Sequence, residues 1–418
     1  MYSEVHRLKI SSVALVFMPF ALAHFLSFVF RTVNAVMYPD LAQELDLDAT
    51  SLGLLTSVYF LAFAAAQLPL GVALDRFGPR KVQVPMLMIA ALGALLSTVA
   101  ESLPALIVAR ALIGFGVAGS LMAALKMGSL WLASERLPLL AGILLAIGGL
   151  GAMASTAPLQ AALTVTDWRG VFLVLGIASI CVSLMILRTP DQQVTRRPTG
   201  LAQMFSAVAQ LYASWRFWRL ALFSLFAHAT FMAILGLWMG PWLSDVARFD
   251  RAAVANAMFI GTAAMIAGSL CFGWLADQLQ RRDFQPTFVC GAGIFMFLLF
   301  QLAMVGANVN PYVAVIGFGF FGTATTMNYA ILAQSVPSHL TGRVTTCFNL
   351  LVFIVAFALQ WGIGGSINLW NPLDDGSYPV EAYRWTFGAV LALQVPGVLL
   401  WFSFKPWRRL TPAVLAPA

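Results

Sequence analysis

Along this chain, apolar residues gather in blocks of twenty or more, separated by short turns that carry the charges, prolines and glycines. A helix needs about 20 predominantly apolar residues to cross a hydrocarbon core of about 30 Å, because each residue advances it by about 1.5 Å. Blocks of suitable length fall at 12–38, 50–74, 82–101, 104–130, 137–162 and 168–188. After a polar stretch, a second set falls at 218–243, 252–277, 286–306, 310–335, 343–366 and 384–404. The pattern predicts an all-α integral membrane protein of twelve transmembrane helices. They form two six-helix bundles, residues 1–188 and 218–418, joined by a cytoplasmic linker at 189–217 whose segment LAQMFSAVAQLYASW suits an interfacial amphipathic helix.

The two sets repeat each other. At an offset of about 202 residues, GVALDRFGPRK from Gly71 faces GWLADQLQRR from Gly273, Asp75 faces Asp277, and Pro39 faces Pro241. His24 and His228 keep the offset only to within two residues, and WRGVF at Trp168 matches YRWTF at Tyr383 with a slightly longer spacing. The bundles are therefore expected to be pseudo-symmetric. The first block is too long for a signal-peptide core and is expected to remain as a helix.

Composition agrees: 60% of residues are hydrophobic, 10% charged, and the mean hydropathy is +0.85, far from a soluble protein. The net charge of +7 is a matter of topology. With both termini in the cytoplasm, 17 of the 24 Lys and Arg residues fall on the inner side and only Arg169, Arg248, Arg251 and Arg384 on the outer. The cations are spread over every inner turn and form no stripe, which excludes nucleic acid as a partner. The expectation is a monomer among membrane lipids in a bacterial cytoplasmic membrane.

Three cations remain inside apolar blocks: Arg31, Arg110 and Lys126. A cation there persists when it faces a watery cavity, a partner, or an interface it can reach. Arg31 lies eight residues before Pro39 and reaches the outer surface only in part, so both a substrate cavity and snorkelling are open readings. Arg110 and Lys126, 16 residues apart, lie roughly 160° apart around one helix and cannot share a cavity; Lys126 is the substrate-binding choice, with snorkelling as its alternative. His24 and His228 are the intramembrane groups, besides cysteine, that titrate near neutrality, and are candidates for proton coupling. In TATTMNYA and on the following helix, Thr326, Asn328, Tyr329 and Asn349 offer neutral donors and acceptors to a substrate or to neighbouring helices. Four scattered cysteines give no disulfide framework or metal site, no cofactor is implied, and the inventory lacks the nucleophile or paired carboxylates of an enzyme.

The chain resembles the major facilitator superfamily of secondary transporters. The resemblance covers the whole chain and rests on the six-plus-six repeat, the loop GVALDRFGPRK between helices 2 and 3, and ARALIGFGVAG on helix 4. It implies a gate at Gly71, Asp75, Arg76, Gly78 and Arg80, with a weaker counterpart at Asp277 because Gln278 replaces a basic residue. Physically, Asp75 is suited to face the positive N-terminus of a helix from the other half. It also implies a structural helix 4 motif of Arg110, Gly114 and Gly116, with Arg110 bonded to helix 1 backbone. The stretch FRTVNAVMYPDL is similar to helix 1 of the organophosphate:phosphate antiporters and related organic-anion porters, which implies that Arg31 binds an anionic group. In the glycerol phosphate branch a substrate-contacting helix 4 histidine lies twelve residues after the first glycine of the motif, and Lys126 lies twelve after Gly114. The second arginine of those antiporters, on helix 7, is replaced by Ala233, and one arginine with a lysine suits a carboxylate better than a phosphate ester. The expected function is alternating-access transport of a small organic anion, coupled to protons or a counter-anion. The rivals are a proton-driven multidrug or siderophore exporter and a non-transporting membrane sensor, the latter expected to carry a soluble output domain that the chain has no room for.

Overall fold

A computed structural model describes residues 10–132, 136–190, 208–282, 284–307, 309–336 and 340–403. The linker predicted at 189–217 lies largely outside them; residues 208–213 of it are helical. The described residues form twelve antiparallel segments. The first half holds α1 (Ile10–Thr32, continued by Asn34–Leu45), α2 (Ala49–Phe77), α3 (Pro79–Thr98), α4 (Leu103–Val117 and Ser120–Trp131), α5 (Leu137–Ala154 and Ala157–Ala162) and α6 (Trp168–Leu187). The second holds α7 (Trp215–Ala233, a π-turn at Ile234–Trp238, and Met239–Asp245), α8 (Arg251–Gln280), α9 (Pro286–Gly306), α10 (Pro311–Gly322, a 3₁₀ turn at Thr323–Thr326, and Met327–Gln334), α11 (Thr341–Ile367) and α12 (Val380–Ala392 and Val395–Trp401).

By length and hydropathy alone, nine stretches among the described residues qualify as spans, or ten if the bent α1 counts. One of them, Ala49–Thr98, contains both α2 and α3, and α12 is divided just before Pro396. Helices satisfy every backbone donor internally, which the hydrocarbon core demands. The outward faces carry Leu92, Leu139, Val174, Trp274 and Leu299, all exposed, as a lipid-facing surface requires. In α7, 83% of the apolar window is buried, against 28% in α8, so α7 runs through the interior and α8 along the periphery.

The repeat is visible in the backbone. Asp48 caps α2 by accepting from the Ser51 amide, and Asp250 caps α8 by accepting from the Ala253 amide, each 2.7 Å away. Two residues earlier, Asp46 and Arg248 both adopt left-handed backbone, φ 51° and 56°, a conformation that costs a non-glycine residue energy. Both pairs keep the same register as Pro39 and Pro241. A proline inside a helix frees the carbonyl four residues back: α1 bends by 46° at Val33, and α7 opens into its π-turn just ahead of Pro241.

The halves meet along α2 and α11 and along α5 and α8, which is the pairing a two-fold relation between the halves requires. Glycines allow the approach. A Cβ on Gly240 of α7 would strike the carbonyl of Ala35 that Pro39 frees, one on Gly364 would strike the Ala49 carbonyl, and one on Gly53 would lie 2.9 Å from the Gln360 carbonyl.

Candidate functional site

Arg31 sits on the last turn of α1 before the bend, half-buried, between the two halves. Its guanidinium carbon lies 4.6 Å from the ring centre of Phe28 on its own helix, 5.5 Å from Phe63 on α2 and 5.4 Å from Phe353 on α11. Phe63 and Phe353 stack across the interface with centroids 4.2 Å apart and planes 12° from parallel. The Arg31 Nε is buried without a hydrogen-bond partner, and among the described residues no carboxylate pairs with this cation. Ring faces attract a guanidinium more weakly than a carboxylate does, so its capacity for an anion is unspent.

One helical turn away, a chain of hydrogen bonds crosses between the halves. The Tyr329 hydroxyl donates to Asn349 Oδ1 at 2.7 Å, and Asn349 Nδ2 donates to Gln67 Oε1 at 3.2 Å. Gln67 is buried and its Nε2 has no partner. Beside Tyr329, His228 Nδ1 lies 2.7 Å from the Thr325 hydroxyl oxygen. That hydroxyl gives its one proton to the Gly322 carbonyl at 2.6 Å. The Thr325 oxygen therefore accepts, His228 Nδ1 carries the proton, and Nε2 keeps its lone pair. On the other side, His24 packs edge-on against Phe28 with both ring nitrogens buried and unpartnered. His24, His228 and Tyr329 all lie within electrostatic reach of Arg31. His24 Nε2 lies against Gly148 of α5 in its own half, whereas His228 lies with Thr325 and Tyr329 in the other.

Other expected site residues lie elsewhere. Lys126 does not join Arg31: its Nζ donates to Asp75 Oδ1 at 2.6 Å, and Asp75 is twelve residues beyond Phe63, about 18 Å along α2. In this structure Lys126 is taken up by a carboxylate of its own half. Asn328 is fully buried and its amide donates to the Leu220 carbonyl at 3.0 Å, holding α10 to α7. Thr326 is exposed one turn from Tyr329, with its hydroxyl on the Thr323 carbonyl. Arg110 is buried, donates through Nη1 to the Phe30 carbonyl at 3.1 Å, and lies over the Tyr59 ring. Gly114 and Gly116 let α4 lie against the backbones of Tyr59 and Ala90.

At the Asp75 end of the bundle, Asp75 meets Lys126 of its own half. Gly78 takes φ 82°, the positive value that lets α2 turn into α3. Arg80 donates to the Thr189 carbonyl at 2.9 Å, Arg76 lies over Phe77, and Gly71 is half-buried within α2. Among the described residues, Asp277 pairs with Arg281 four positions on, both exposed, a contact of little stabilising value.

The Asp40 end is tied across the halves. Arg251 donates to Asp40 at 2.7 Å, Asn368 donates to Asp48 at 2.9 Å, and the Ala49 amide donates to the Tyr378 hydroxyl. Asp245 anchors this corner by accepting from the Tyr378 amide and the Tyr383 hydroxyl. In the α11–α12 loop, the hydroxyl and amide of Ser377 hold the Asp375 carboxyl below its ordinary range, keeping it charged for Arg248 at 3.1 Å. A cavity of about 540 Å³ opens at this end, lined by Asp40, Glu44, Asp167, Trp168 and Arg251 among others; Glu44 is held there by Trp168 and Arg169.

Gln67, the Phe63–Phe353 stack and the Asp40–Arg251 pair were not singled out from sequence. Gln67 alone gave a signal, as a lone amide inside an alanine-rich apolar block.

Two repeated six-helix halves enclosing an unpaired cation between them define a membrane transporter bundle. The model of the Major Facilitator Superfamily matches residues 20–360, and the chain belongs to that family of transporters; it is not an enzyme. It is 24% identical to the "Probable sulfoacetate transporter SauU" of Cupriavidus necator, over 77% of this chain and 79% of that one. It is 25% identical to the "Probable L-galactonate transporter" of Escherichia coli, over 85% and 82%. Among solved structures, a bacterial homologue of the human lysosomal transporter Spinster, in an inward-facing and occupied conformation, superposes with a TM-score of 0.75 at 18% identity, covering 95% of this chain and 97% of that one.

Proposed function

We propose that this protein carries a small organic acid anion across a bacterial cytoplasmic membrane by alternating access, with Arg31 holding the anionic group. The observation that carries the reading is the Arg31 guanidinium itself: half-buried at the interface, touching rings from both halves, with its Nε unsatisfied and no carboxylate beside it. A cation so placed is costly within a membrane unless an anion completes it. The names of the two bacterial relatives, which specify sulfoacetate and L-galactonate, support an organic acid as the solute.

The inner side is the Asp75 end, on the excess of Lys and Arg in its turns. The Asp40 end is tied across the halves and Asp75 is bonded within its own half, which supports reading the conformation as open to the cytoplasm. The solute would enter or leave between the Asp75-end tips of the two halves, and crossing would require the Asp40–Arg251 tie to open. Coupling is either exchange for a second anion or proton transfer through His24 or His228, since the described spans place no carboxylate beside Arg31.

The test is uptake of labelled organic acids into proteoliposomes by wild type, Arg31→Lys and Arg31→Gln, each matched for incorporation. Losing a charge-assisted partner in a poorly solvated site is expected to cost about 2–5 kcal/mol in affinity. Lysine should not restore binding, because it lacks the planar fork. Wild-type affinity in both variants would remove Arg31 from the site.

A further inference from the structure

The three rings around Arg31 and the few free hydrogen-bonding groups beyond them describe the body of the solute as well as its charge. Resting on the reading of Arg31 as the anion site, we infer that the protein takes a monoanionic acid with a compact, ring-sized apolar body and a single polar substituent, and not a polyhydroxylated acid or a dianion.

Charge is the first argument. Of the cations that lie inside the apolar blocks, Arg110 is spent on the Phe30 carbonyl and the Tyr59 ring, and Lys126 on Asp75. That leaves one guanidinium for the solute, so a second anionic group would be desolvated without a partner. Shape is the second. Phe28, Phe63 and Phe353 crowd the guanidinium, all with centroids 4.6 to 5.5 Å from its central carbon. An anion that reaches the fork must lay its body against phenyl surface, which rewards an apolar or aromatic body and gives a polyol nothing to bond.

Hydrogen-bond capacity is the third. Tyr329, Asn349 and Gln67 already satisfy one another in a chain. Among the groups that remain buried without a partner, which include Asn34 Oδ1, Thr230 Oγ1, Gln360 Oε1 and the ring nitrogens of His24, Gln67 Nε2 is the donor carried by the helix of Phe63. Gln67 follows Phe63 by four residues, about 6 Å along the helix axis. That spacing suits one acceptor at the far side of a six-membered ring whose carboxylate sits at Arg31. It cannot serve the row of hydroxyls on a sugar acid.

The test is calorimetric titration of the full-length protein in lipid nanodiscs with 4-hydroxybenzoate, benzoate, galactonate and galactarate. The inference expects 4-hydroxybenzoate to bind at least about tenfold more tightly than galactonate or galactarate. It also expects Gln67→Leu to erase the preference for 4-hydroxybenzoate over benzoate, and Arg31→Gln to abolish binding of both. Galactonate or galactarate binding as tightly as 4-hydroxybenzoate, in a manner lost with Arg31→Gln, would overturn the inference and leave the anion site standing. Anion binding that is indifferent to Arg31→Gln and Arg31→Lys would overturn both. The order of the four acids in the wild-type protein decides the solute class even if a variant fails to fold.

Discussion

Lys126 and Asp75 form an ion pair at 2.6 Å within one half of the molecule, about 18 Å along α2 from the Phe63 ring that lies beside Arg31. The side chains are 22% and 48% exposed, so the pair contributes no more than about 1 kcal/mol. Its consequence lies in positioning: it fixes the Asp75 end of α2 against α4.

Lys126→Ala should therefore leave the affinity for the transported anion within about twofold, while Arg31→Gln lowers it by well over tenfold. Titration of the two purified variants with the same acid measures this. A loss with Lys126→Ala as large as that with Arg31→Gln would return Lys126 to the solute site.

At the far end, Asp40→Asn should favour the conformation open on the Asp40 side. The pair with Arg251 is partly exposed, at 28% and 51%, so its removal is worth about 0.2–1 kcal/mol, up to roughly a fivefold shift between states. Single cysteines placed beside Leu163 and Thr166, in the cavity at that end, should label faster in the variant. High salt should produce part of the same effect in the wild type by screening, and equal labelling rates in all cases would deny the pair any role in closure.

Gly240 is a stricter test of closure than any charge. A methyl there would meet the carbonyl of Ala35 and the ring of Tyr38 in the opposing half, and backbone cannot retreat as a flexible side chain does. Gly240→Ala should exclude the present conformation and reduce transport severely, whereas Gly142→Ala, where the added methyl meets nothing within 4 Å, should leave this conformation undisturbed. Electron-paramagnetic distance measurements across the Asp40 end would show the difference, and a normal closed-end distance in Gly240→Ala would contradict it.

What was legible in the sequence was whatever repeats or has a period. Span number followed from apolar block lengths, and the two-fold relation from Pro39 with Pro241 and Asp75 with Asp277. The left-handed turns at Asp46 and Arg248 and the caps at Asp48 and Asp250 obey that offset too. Arg31 was visible because a guanidinium in an apolar block is expensive. The pairing of Lys126 with Asp75 was not legible, because angle around a helix was known but depth relative to α2 was not. Gln67 meets Asn349 across 282 residues of sequence, and no local pattern records such a contact; Asn328 looked equivalent to Tyr329 only until α7 supplied a carbonyl for its amide.

The Thr325 hydroxyl sets the tautomer of His228, and that gives coupling a specific test. With its proton on the Gly322 carbonyl, Thr325 compels His228 to donate through Nδ1, leaving Nε2 as the base. If a proton accompanies the anion, it binds Nε2 and the resulting imidazolium stands within electrostatic reach of Arg31, where a bound carboxylate would offset the two positive charges. His228→Gln should then abolish the stimulation of uptake by an inward proton gradient while preserving exchange of labelled for unlabelled anion, which needs no net proton movement. Thr325→Val should weaken the same stimulation less severely, because the ring remains but its tautomer is no longer imposed. His24→Gln is the parallel measurement for the other ring, whose nitrogens have no partner. Gradient-driven uptake at wild-type rates in the His24→Gln, His228→Gln double variant would exclude both histidines and leave anion exchange as the coupling mode.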